Sequence, residues 1–380
     1  MSSNFSLLVK PAGADCNLAC EYCFYLNKGK LYPNSALRMS DTVLQEYIRQ
    51  LLITQAGHEV TVAWQGGEPT LMGVDFFKRS VQLVNENRQS NQKVRYSFQT
   101  NGILLNEEWC SFFKENQFLV GLSIDGPAEM HDAYRRDKGG KGSFDRVKQS
   151  WDLLKKQGVD ANILCTVNAA NANHPLDVYH FFRDSLKSQF IQFIPVVEQE
   201  HIRSGVQAEQ YGRFLVEIFD EWVRRDVGQV FVQIFDSALA SWCGLSASVC
   251  VFQETCGQSL VMEHNGDVYS CDHFVTADNL LGNIHETPMD RLADSPRHHQ
   301  FGMDKKGKLP GCCRECDVFF ACHGECPKNR FLRTPRGEEG LTYLCDGYRL
   351  FFHHIDGPMR IMADLWQQGR APAEIMGIPK

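Results

Sequence analysis

Three cysteines near the amino terminus and eight more in the last third of the chain have the spacing of metal ligands. Cys16, Cys20 and Cys23 form a C-x3-C-x2-C loop in the run CNLACEYCFY. Thiolates suit iron-sulfur clusters, and three of them can hold three irons of a four-iron cluster while the fourth iron stays without a protein ligand. Because a reactive metal site requires an open coordination position, this loop predicts a cluster that does chemistry.

Zinc, free thiols and disulfides are the alternatives for these cysteines. A zinc knuckle would need a fourth ligand close by, and no histidine lies near the loop in the sequence. Secreted disulfide scaffolds are usually far shorter than 380 residues. The iron-sulfur interpretation is therefore favoured.

The composition excludes several classes of protein. With 43% hydrophobic and 22% charged residues, the chain has enough apolar sequence for one large domain and a smaller one. Its net charge is −7 and its 39 Lys and Arg are scattered, so we expect no nucleic acid partner. The sequence contains neither a signal peptide pattern nor a span near the roughly 20 apolar residues of a membrane helix. We therefore expect a cytoplasmic protein. In the reducing cytoplasm, a chain with 15 Cys is expected to bind metal rather than to form disulfides.

Strand-like and helix-like segments alternate through about residue 235. The predicted strands are residues 6–9, 60–64, 94–98, 119–124, 161–167 and 191–197. The predicted helices between them include residues 41–55, 75–88, 107–116, 144–157 and 176–185. This alternation indicates a parallel sheet covered by helices, with too few repeats for a closed eight-fold barrel. A partial barrel and an open doubly wound sheet both fit the pattern.

Polar, glycine-rich sequence follows the first four predicted strands. The segments are the Cys16 loop and residues 65–69, 99–102 and 125–127. In either architecture ligands bind at the carboxyl ends of the strands. We therefore expect these loops to converge on one site.

The cysteine loop directly after a first strand, with the aromatic Tyr22 inside it, resembles the radical S-adenosylmethionine (AdoMet) superfamily. The resemblance implies an α/β fold, a partial (β/α)6 TIM-like barrel. It also implies that Cys16, Cys20 and Cys23 hold a 4Fe-4S cluster whose open iron chelates AdoMet. Reduction then yields a 5′-deoxyadenosyl radical, so the cofactor supplies the difficult chemistry.

A second motif of that superfamily is the GGEP sequence, present here as Gly66, Gly67 and Glu68 before a proline. Alone, such a sequence indicates an ordinary turn more often than a ligand-binding strand end, because glycine and proline also form turns. Beside the cysteine loop, the resemblance implies that this strand end contacts the methionine amino group of AdoMet. The same resemblance assigns four further AdoMet contacts, to Tyr22, Ser123, Arg135 and Val197. Of these, Val197 matches the family pattern least well.

The cysteines of the last third resemble the SPASM domain, an iron-sulfur domain appended to radical enzymes that modify peptides. The matching series is Cys256-x9-Gly266-x4-Cys271, then Cys313-x2-Cys316-x5-Cys322-x3-Cys326, then Cys345. The resemblance implies two auxiliary 4Fe-4S clusters, a first on Cys250, Cys256, Cys271 and Cys326 and a second on Cys313, Cys316, Cys322 and Cys345. Because full ligation leaves no open iron, both auxiliary clusters are expected to transfer electrons and brace the fold rather than bind substrate. A pair of structural zinc sites is the alternative.

Four cysteines lie outside these sets. Cys110 and Cys165 fall in helix and strand patterns and are predicted to be small core residues. Cys243 competes with Cys250, and Cys312 competes with Cys313, as cluster ligands. Spacing favours Cys250 and Cys313 without deciding the matter.

Longer phrases narrow the resemblance. LLVKPAGADCNLACEYCFY, QGGEPTL, QTNGILLNEEW, FLVGLSIDGP and SCDHF are similar to anaerobic sulfatase-maturating enzymes. That subfamily oxidises a serine or cysteine in a Cys/Ser-x-Pro-x-Arg segment of an unfolded or nascent sulfatase to formylglycine. The reaction requires a base and an electron acceptor, and the resemblance makes Asp272, next to Cys271, the base. Alternatively, Asp272 only hydrogen-bonds within the cluster loop.

These observations predict a radical AdoMet domain over residues 1–235 and a SPASM-type domain with a carboxyl-terminal helix over residues 236–380. We expect an external one-electron reductant, such as flavodoxin or ferredoxin. The charged segment 297–308 is predicted to be a solvated linker. Two other functions stay open: a maturase that crosslinks another ribosomal peptide, and a non-catalytic electron carrier or zinc-binding protein.

Overall fold

Alternating strands and helices form most of the protein in its computed structural model, which describes residues 5–55, 59–197 and 204–378. The strands β1 to β12 are, in order, Ser6–Lys10, Glu59–Trp64, Lys93–Thr100, Phe118–Ser123, Asp160–Val167, Phe190–Pro195, Phe231–Val232, Ser259–Glu263, Asp267–Tyr269, Leu280–Asn283, Leu332–Arg333 and Glu339–Leu341. The α-helices α1 to α13 are Asp41–Thr54, Val74–Asn87, Glu107–Glu115, Ala128–Tyr134, Phe144–Gln157, Pro175–His180, Ala208–Arg225, Gln233–Trp242, Met289–Ala293, Pro296–Gly307, Gly311–Arg314, Phe319–Cys322 and Cys345–Gln367. Each of the six predicted strands is present, with ends within two residues of the prediction.

The chain forms two compact units that interleave along the sequence. Unit one comprises Met1–Ser123, Arg135–Ala161 and Gly257–Gly302, and unit two comprises Ile124–Tyr134, Asn162–Cys256 and Met303–Lys380. The domain boundary predicted between residues 235 and 236 stays a prediction.

The sheet of unit one runs in the order β10-β9-β8-β1-β2-β3-β4. Strands β8, β1, β2, β3 and β4 are parallel, whereas β9 and β10 are antiparallel additions at one edge. Strand β1 therefore has neighbours on both sides, and Lys10 at its end lies opposite Glu263 of β8. This pairing brings a hairpin from the last third of the chain beside the cysteine loop that follows β1.

The helices of unit one cover the sheet through regular apolar stripes. In α1 the side chains of Leu44, Tyr47, Ile48 and Leu51 are buried at helical spacing. Ser40 caps this helix by accepting a hydrogen bond from the backbone of Val43. Packing of this kind fixes the strand ends that carry the site.

Unit two contains the parallel strands β5, β6 and β7 and the long helices α7 and α13. Gly212 of α7 and Gly347 of α13 allow the two helix backbones to touch, because a Cβ on Gly347 would lie 2.0 Å from the carbonyl oxygen of Ala208. The predicted carboxyl-terminal helix is confirmed as α13. Cys345, its first residue, is thereby attached to a rigid element.

The prediction of a solvated linker at residues 297–308 was wrong. This segment forms α10, in which His298, Gly302 and Lys305 are buried. These three residues recur at helical spacing and form one inward face. Hydropathy does not mark a face built from a histidine, a glycine and a lysine.

Candidate active site and cluster-binding cysteines

The cysteine loop begins immediately after β1 and is held by backbone contacts. The amide of Cys23 donates to the carbonyl of Cys20 at 3.1 Å, and that of Ala19 donates to the carbonyl of Arg136 at 2.8 Å. Burial raises the pKa of the Cys16 thiol to about 12, with smaller contributions from Cys20 and Cys23. Because the charges of Cys20 and Cys23 act on Cys16, the three thiols lie near one another, as a shared cluster requires.

The GGEP segment packs directly on this loop. The amide of Gly67 donates to the carbonyl of Gly13 at 2.8 Å, and the amide of Glu68 donates to the carbonyl of Asp15 at 2.8 Å. A Cβ on Gly67 would lie 2.0 Å from the Asp15 carbonyl oxygen, closer than any side chain permits. Glycine is therefore required here to seat the cysteine loop, whatever the strand end contacts in addition.

Glu68 is fully buried and joins two loops. One carboxylate oxygen accepts from the backbone amide of Thr70 at 3.0 Å and from the hydroxyls of Thr70 and Thr100 at 2.6 and 2.7 Å. The other accepts from the amide of Asn101 at 2.8 Å. Burial raises the pKa of Glu68, while these donors act in the opposite direction. Four donors around one carboxylate make Glu68 a support for the strand ends.

Asn101 extends this support to the cysteine loop. Its side-chain amide lies 2.7 Å from the side-chain oxygen of Asn17 and 3.6 Å from the sulfur of Cys16. The loop after β3 therefore converges on the cysteine loop, as the strand-end pattern predicts.

The remaining predicted cofactor contacts lie in both units. In unit one, Ser123 is buried at the end of β4, and the Arg135 guanidinium carbon lies 5.5 Å from the ring centre of Tyr22. Val197 is buried in unit two, two residues beyond the end of β6. Their contact with AdoMet stays a prediction.

Asp272 follows the β8–β9 hairpin in unit one and faces a buried lysine. Its carboxylate lies 3.9 Å from the Nζ atom of Lys10, whose side chain is 1% exposed. Burial lowers the pKa of Lys10, whereas Asp272 and Glu263 raise it. The thiol of Cys271 lies 3.5 Å from Asp272. The Asp272 carboxylate thus lies between the Lys10 ammonium nitrogen and the thiol of Cys271, a predicted cluster ligand.

Lys10, Tyr25 and Glu263 form a buried group that the sequence did not single out. The Tyr25 hydroxyl donates to Glu263, and Lys10 Nζ lies 4.4 Å from the centre of the Tyr25 ring. Burial and Glu263 raise the pKa of Tyr25. A lysine at the end of the apolar run LLVK was a usable signal, whereas nothing local marks Glu263.

In unit two, a cavity of about 430 Å³ is lined by five cysteines. They are Cys312, Cys313, Cys316, Cys322 and Cys345. Burial raises the pKa of both Cys313 and Cys322 to about 12, and that of Cys345 to about 11. The four thiols predicted for the second auxiliary cluster thus surround one space that suits a multi-atom group. Cys312 is the exposed fifth member.

Three of the thiols predicted for the first auxiliary cluster are also together in unit two. The charges of Cys256 and Cys250 raise the pKa of Cys326, after the larger effect of burial. The fourth predicted ligand, Cys271, belongs to unit one. Within the described residues, no group of three or more His, Cys, Asp or Glu side chains forms a site for a single metal ion.

The other cysteines differ in burial. Cys110 and Cys165 are fully buried, which confirms them as core residues. Cys243 is half-buried at the end of α8.

Comparison with known proteins matches both parts of the chain. Residues 11–182 match the radical SAM superfamily, and residues 250–317 match an iron-sulfur cluster-binding domain, SPASM. A serine-type anaerobic sulfatase-maturating enzyme of Bacteroides thetaiotaomicron is 46% identical over 97% of this chain and 94% of its own. The chain is an anaerobic sulfatase-maturating enzyme by family. A cysteine-type member from Clostridium perfringens is 36% identical over 92% of this chain and 95% of its own.

Solved structures of the family agree with this fold. A sulfatase-maturating enzyme named anSMEcpe, with bound AdoMet and the Kp18Cys peptide, has a TM-score of 0.87 and 34% identity, and the match covers 94% of this chain and 99% of that one. The α/β fold with radical SAM and SPASM domains is thereby confirmed, as is the use of AdoMet and 4Fe-4S clusters. Among the described residues, no helix has the length and hydropathy to cross a membrane.

Proposed function

We infer that this protein oxidises a serine or cysteine side chain of a sulfatase to formylglycine. The observation that carries this conclusion is its match, over 97% of its length, to a serine-type anaerobic sulfatase-maturating enzyme. Within unit one, Asp272 and the three-cysteine loop supply a base and a cluster site, as this reaction requires.

The reaction removes two electrons and two protons from the substrate side chain. When bound, AdoMet and the cluster supply a radical that takes one hydrogen atom from the substrate Cβ. The hydroxyl or thiol next to that carbon must then lose a proton, and the carbon radical must lose an electron, which gives an aldehyde from serine and a thioaldehyde from cysteine. Water then hydrolyses the thioaldehyde to the aldehyde and releases hydrogen sulfide. Asp272 accepts the proton at its carboxylate, which lies 3.9 Å from the Nζ atom of Lys10. The auxiliary cysteines would hold a cluster that can accept the electron.

The cofactor contacts proposed for this site follow the strand ends. They are Tyr22, Gly66, Gly67, Glu68, Ser123, Arg135 and Val197 for AdoMet, with Cys16, Cys20 and Cys23 for the radical-generating cluster. Gly67 and Glu68 act on the site through the position of the cysteine loop, because their hydrogen bonds are with that loop and its neighbours.

The substrate is a flexible segment of Cys/Ser-x-Pro-x-Arg type in an unfolded or nascent sulfatase. Names of the relatives include both serine-type and cysteine-type enzymes, and the 46% relative is serine-type. We place the reaction in the cytoplasm, where reducing conditions keep thiols available as ligands. An external one-electron donor of the flavodoxin or ferredoxin kind starts each turnover.

The test is an anaerobic incubation of the reconstituted protein with AdoMet, dithionite and peptides that differ only at the target residue. Peptides with serine or cysteine before x-Pro-x-Arg are expected to change to the lower mass of the formylglycine peptide and to become reactive toward hydrazines. A peptide with alanine at that position serves as the control. Unchanged serine and cysteine peptides, in a preparation that still cleaves AdoMet, would contradict the assignment.

A further inference from the structure

The segment between Cys322 and Cys326 connects the two predicted auxiliary ligand sets through strained backbone. His323, Gly324 and Glu325 all have positive φ angles, of 47°, 73° and 61°. Residues other than glycine rarely adopt positive φ angles, so the surroundings must hold His323 and Glu325 in this conformation. This segment separates Cys322 and Cys326, which are four positions apart and are predicted for different ligand sets.

Arg330 holds this segment. Its guanidinium donates to the carbonyls of His323 at 3.0 Å, Gly324 at 2.7 Å and Glu325 at 2.8 Å. A further hydrogen bond of 2.5 Å joins it to the carbonyl of Lys305. Arg330 therefore also links the segment to helix α10.

Lys305 is the second cation at this place, and it is almost fully buried, with 1% exposure. Its ammonium donates to the carbonyls of Cys250 at 2.7 Å and Val251 at 2.9 Å. It forms no carboxylate ion pair within 4.0 Å among the described residues, although the charge of Glu325 acts on it at longer range. Burial lowers the pKa of Lys305, and the charges of thiols predicted for the first auxiliary cluster act in the opposite direction.

The charges around Lys305 are unequal for the two predicted clusters. Cys256, Cys326 and Cys250 all act on Lys305, whereas no cysteine unique to the second set is among its main electrostatic partners. Arg330, by contrast, interacts with Cys313 and Cys322 as well as with Cys256. The hydrogen bond of Lys305 to the carbonyl of Cys250 thus places its ammonium against the first ligand set, whereas Arg330 acts on cysteines of both sets.

We propose that Lys305 is the positioning residue that sets the reduction potential of the first auxiliary cluster. A fixed positive charge in a poorly solvated place stabilises the reduced, more negative form of an adjacent cluster. Bound to these cysteines, the cluster would accept the one electron that the substrate radical loses, while the proton goes to Asp272. This inference rests on the proposed function, because it assigns the cluster as the acceptor for that electron.

The adjacent residue provides a matched control. Lys306 lies on the same helix with the same charge, but its side chain is 52% exposed and paired with Glu254 at 2.5 Å. Solvent screens such a charge, so its removal is expected to leave the cluster potentials unchanged. Lys305→Gln keeps a hydrogen-bond donor for the two carbonyls and removes the charge. Lys305→Met removes both.

The experiment is a redox titration followed by electron paramagnetic resonance, without peptide or AdoMet. A Cys16→Ala/Cys20→Ala/Cys23→Ala background removes the radical-generating cluster and leaves two transitions to follow. In Lys305→Gln, one transition is expected to shift to lower potential by about 59 mV, a tenfold change in the one-electron equilibrium constant. The other transition stays in place, and Lys306→Met shifts neither.

Three outcomes would overturn the proposal. They are unchanged potentials in Lys305→Gln with full iron content, equal shifts of both transitions, and a loss of about four irons in Lys305→Gln, which would make the lysine a structural support. Should Lys305→Met alone lose iron, Lys305→Gln still decides the question. Because no peptide is present, failure of the sulfatase assignment would appear separately, in the peptide assay.

Discussion

The cysteine loop of unit one and the thiol-lined cavity of unit two solve the problem of holding cysteines in different ways. The loop presents three thiols and depends on backbone contacts, with Gly67 and Glu68 packed against it. The cavity is lined by five thiols, four of them predicted ligands, and its walls include the buried Cys313. With three thiols as ligands, the loop would leave a coordination position for a cosubstrate, whereas the four predicted ligands of the cavity would saturate a cluster.

This difference matters for reactivity. A site with an open position must be shaped by groups that are not ligands, because the thiols alone do not fix it. A saturated site is fixed by its own ligands, so neighbouring charges can tune it without disturbing its geometry. Predictions that separate the two regions follow from this contrast.

The largest expected contrast is between Cys16→Ala and Cys312→Ala. Removing one of three loop thiols should lower 5′-deoxyadenosine formation to background, since no spare cysteine lies in that loop. Removing Cys312, the exposed fifth thiol of the cavity, should preserve the iron content of about twelve per chain. Iron analysis and chromatography of the nucleoside give both readings. A loss of about four irons in Cys312→Ala would show that Cys312 is itself a ligand.

A smaller effect is expected at the glycines. Gly67→Ala forces a Cβ against the Asp15 carbonyl, so it should cost about 1–3 kcal/mol and loosen the cysteine loop. Gly357→Ala in helix α13 of unit two has open space and should stabilise by about 0.5–1 kcal/mol. Thermal melting under anaerobic conditions, with iron analysis, measures both changes. Equal melting temperatures for the two variants would refute the close packing of Gly67.

The smallest of these effects is expected at Glu68. Glu68→Gln replaces one acceptor oxygen by a donor, so a buried donor such as the Asn101 amide loses its partner at a cost of about 1–2 kcal/mol. Glu115→Gln, an exposed carboxylate in the same unit, should change stability by less than about 0.5 kcal/mol. AdoMet cleavage should fall with stability in Glu68→Gln alone. Identical melting temperatures and identical rates of AdoMet cleavage in the two variants would contradict the role of Glu68 as a support for the strand ends.

Local patterns predicted much of the fold and little of its long-range pairing. The strands β2, β3 and β5 coincide with runs of β-branched and aromatic residues, so the hydrophobic pattern and the composition were enough to predict them. The pairing of β1 with β8, which places Lys10 opposite Glu263, joins residues more than 250 positions apart. No local rule encodes such a partner, because register depends on the whole packed sheet.

The site shows the same division between local and long-range information. Cysteine spacing and the GGEP sequence identified residues that converge in the structure. Lys10 and Lys305 went unnoticed, because a buried lysine is rare and its burial is decided by tertiary packing. The helix that carries Lys305 was predicted as a linker for the same reason.

The most direct test of the central claim is Asp272→Asn, measured for both products in one anaerobic reaction with AdoMet and a target peptide. Loss of the base should lower formylglycine formation by about 10²–10⁴-fold, while 5′-deoxyadenosine still forms. Asp278→Asn, an exposed neighbour six residues on, should behave as the unaltered protein. Formylglycine formed by Asp272→Asn at the unaltered rate would contradict the assignment of Asp272 as the base.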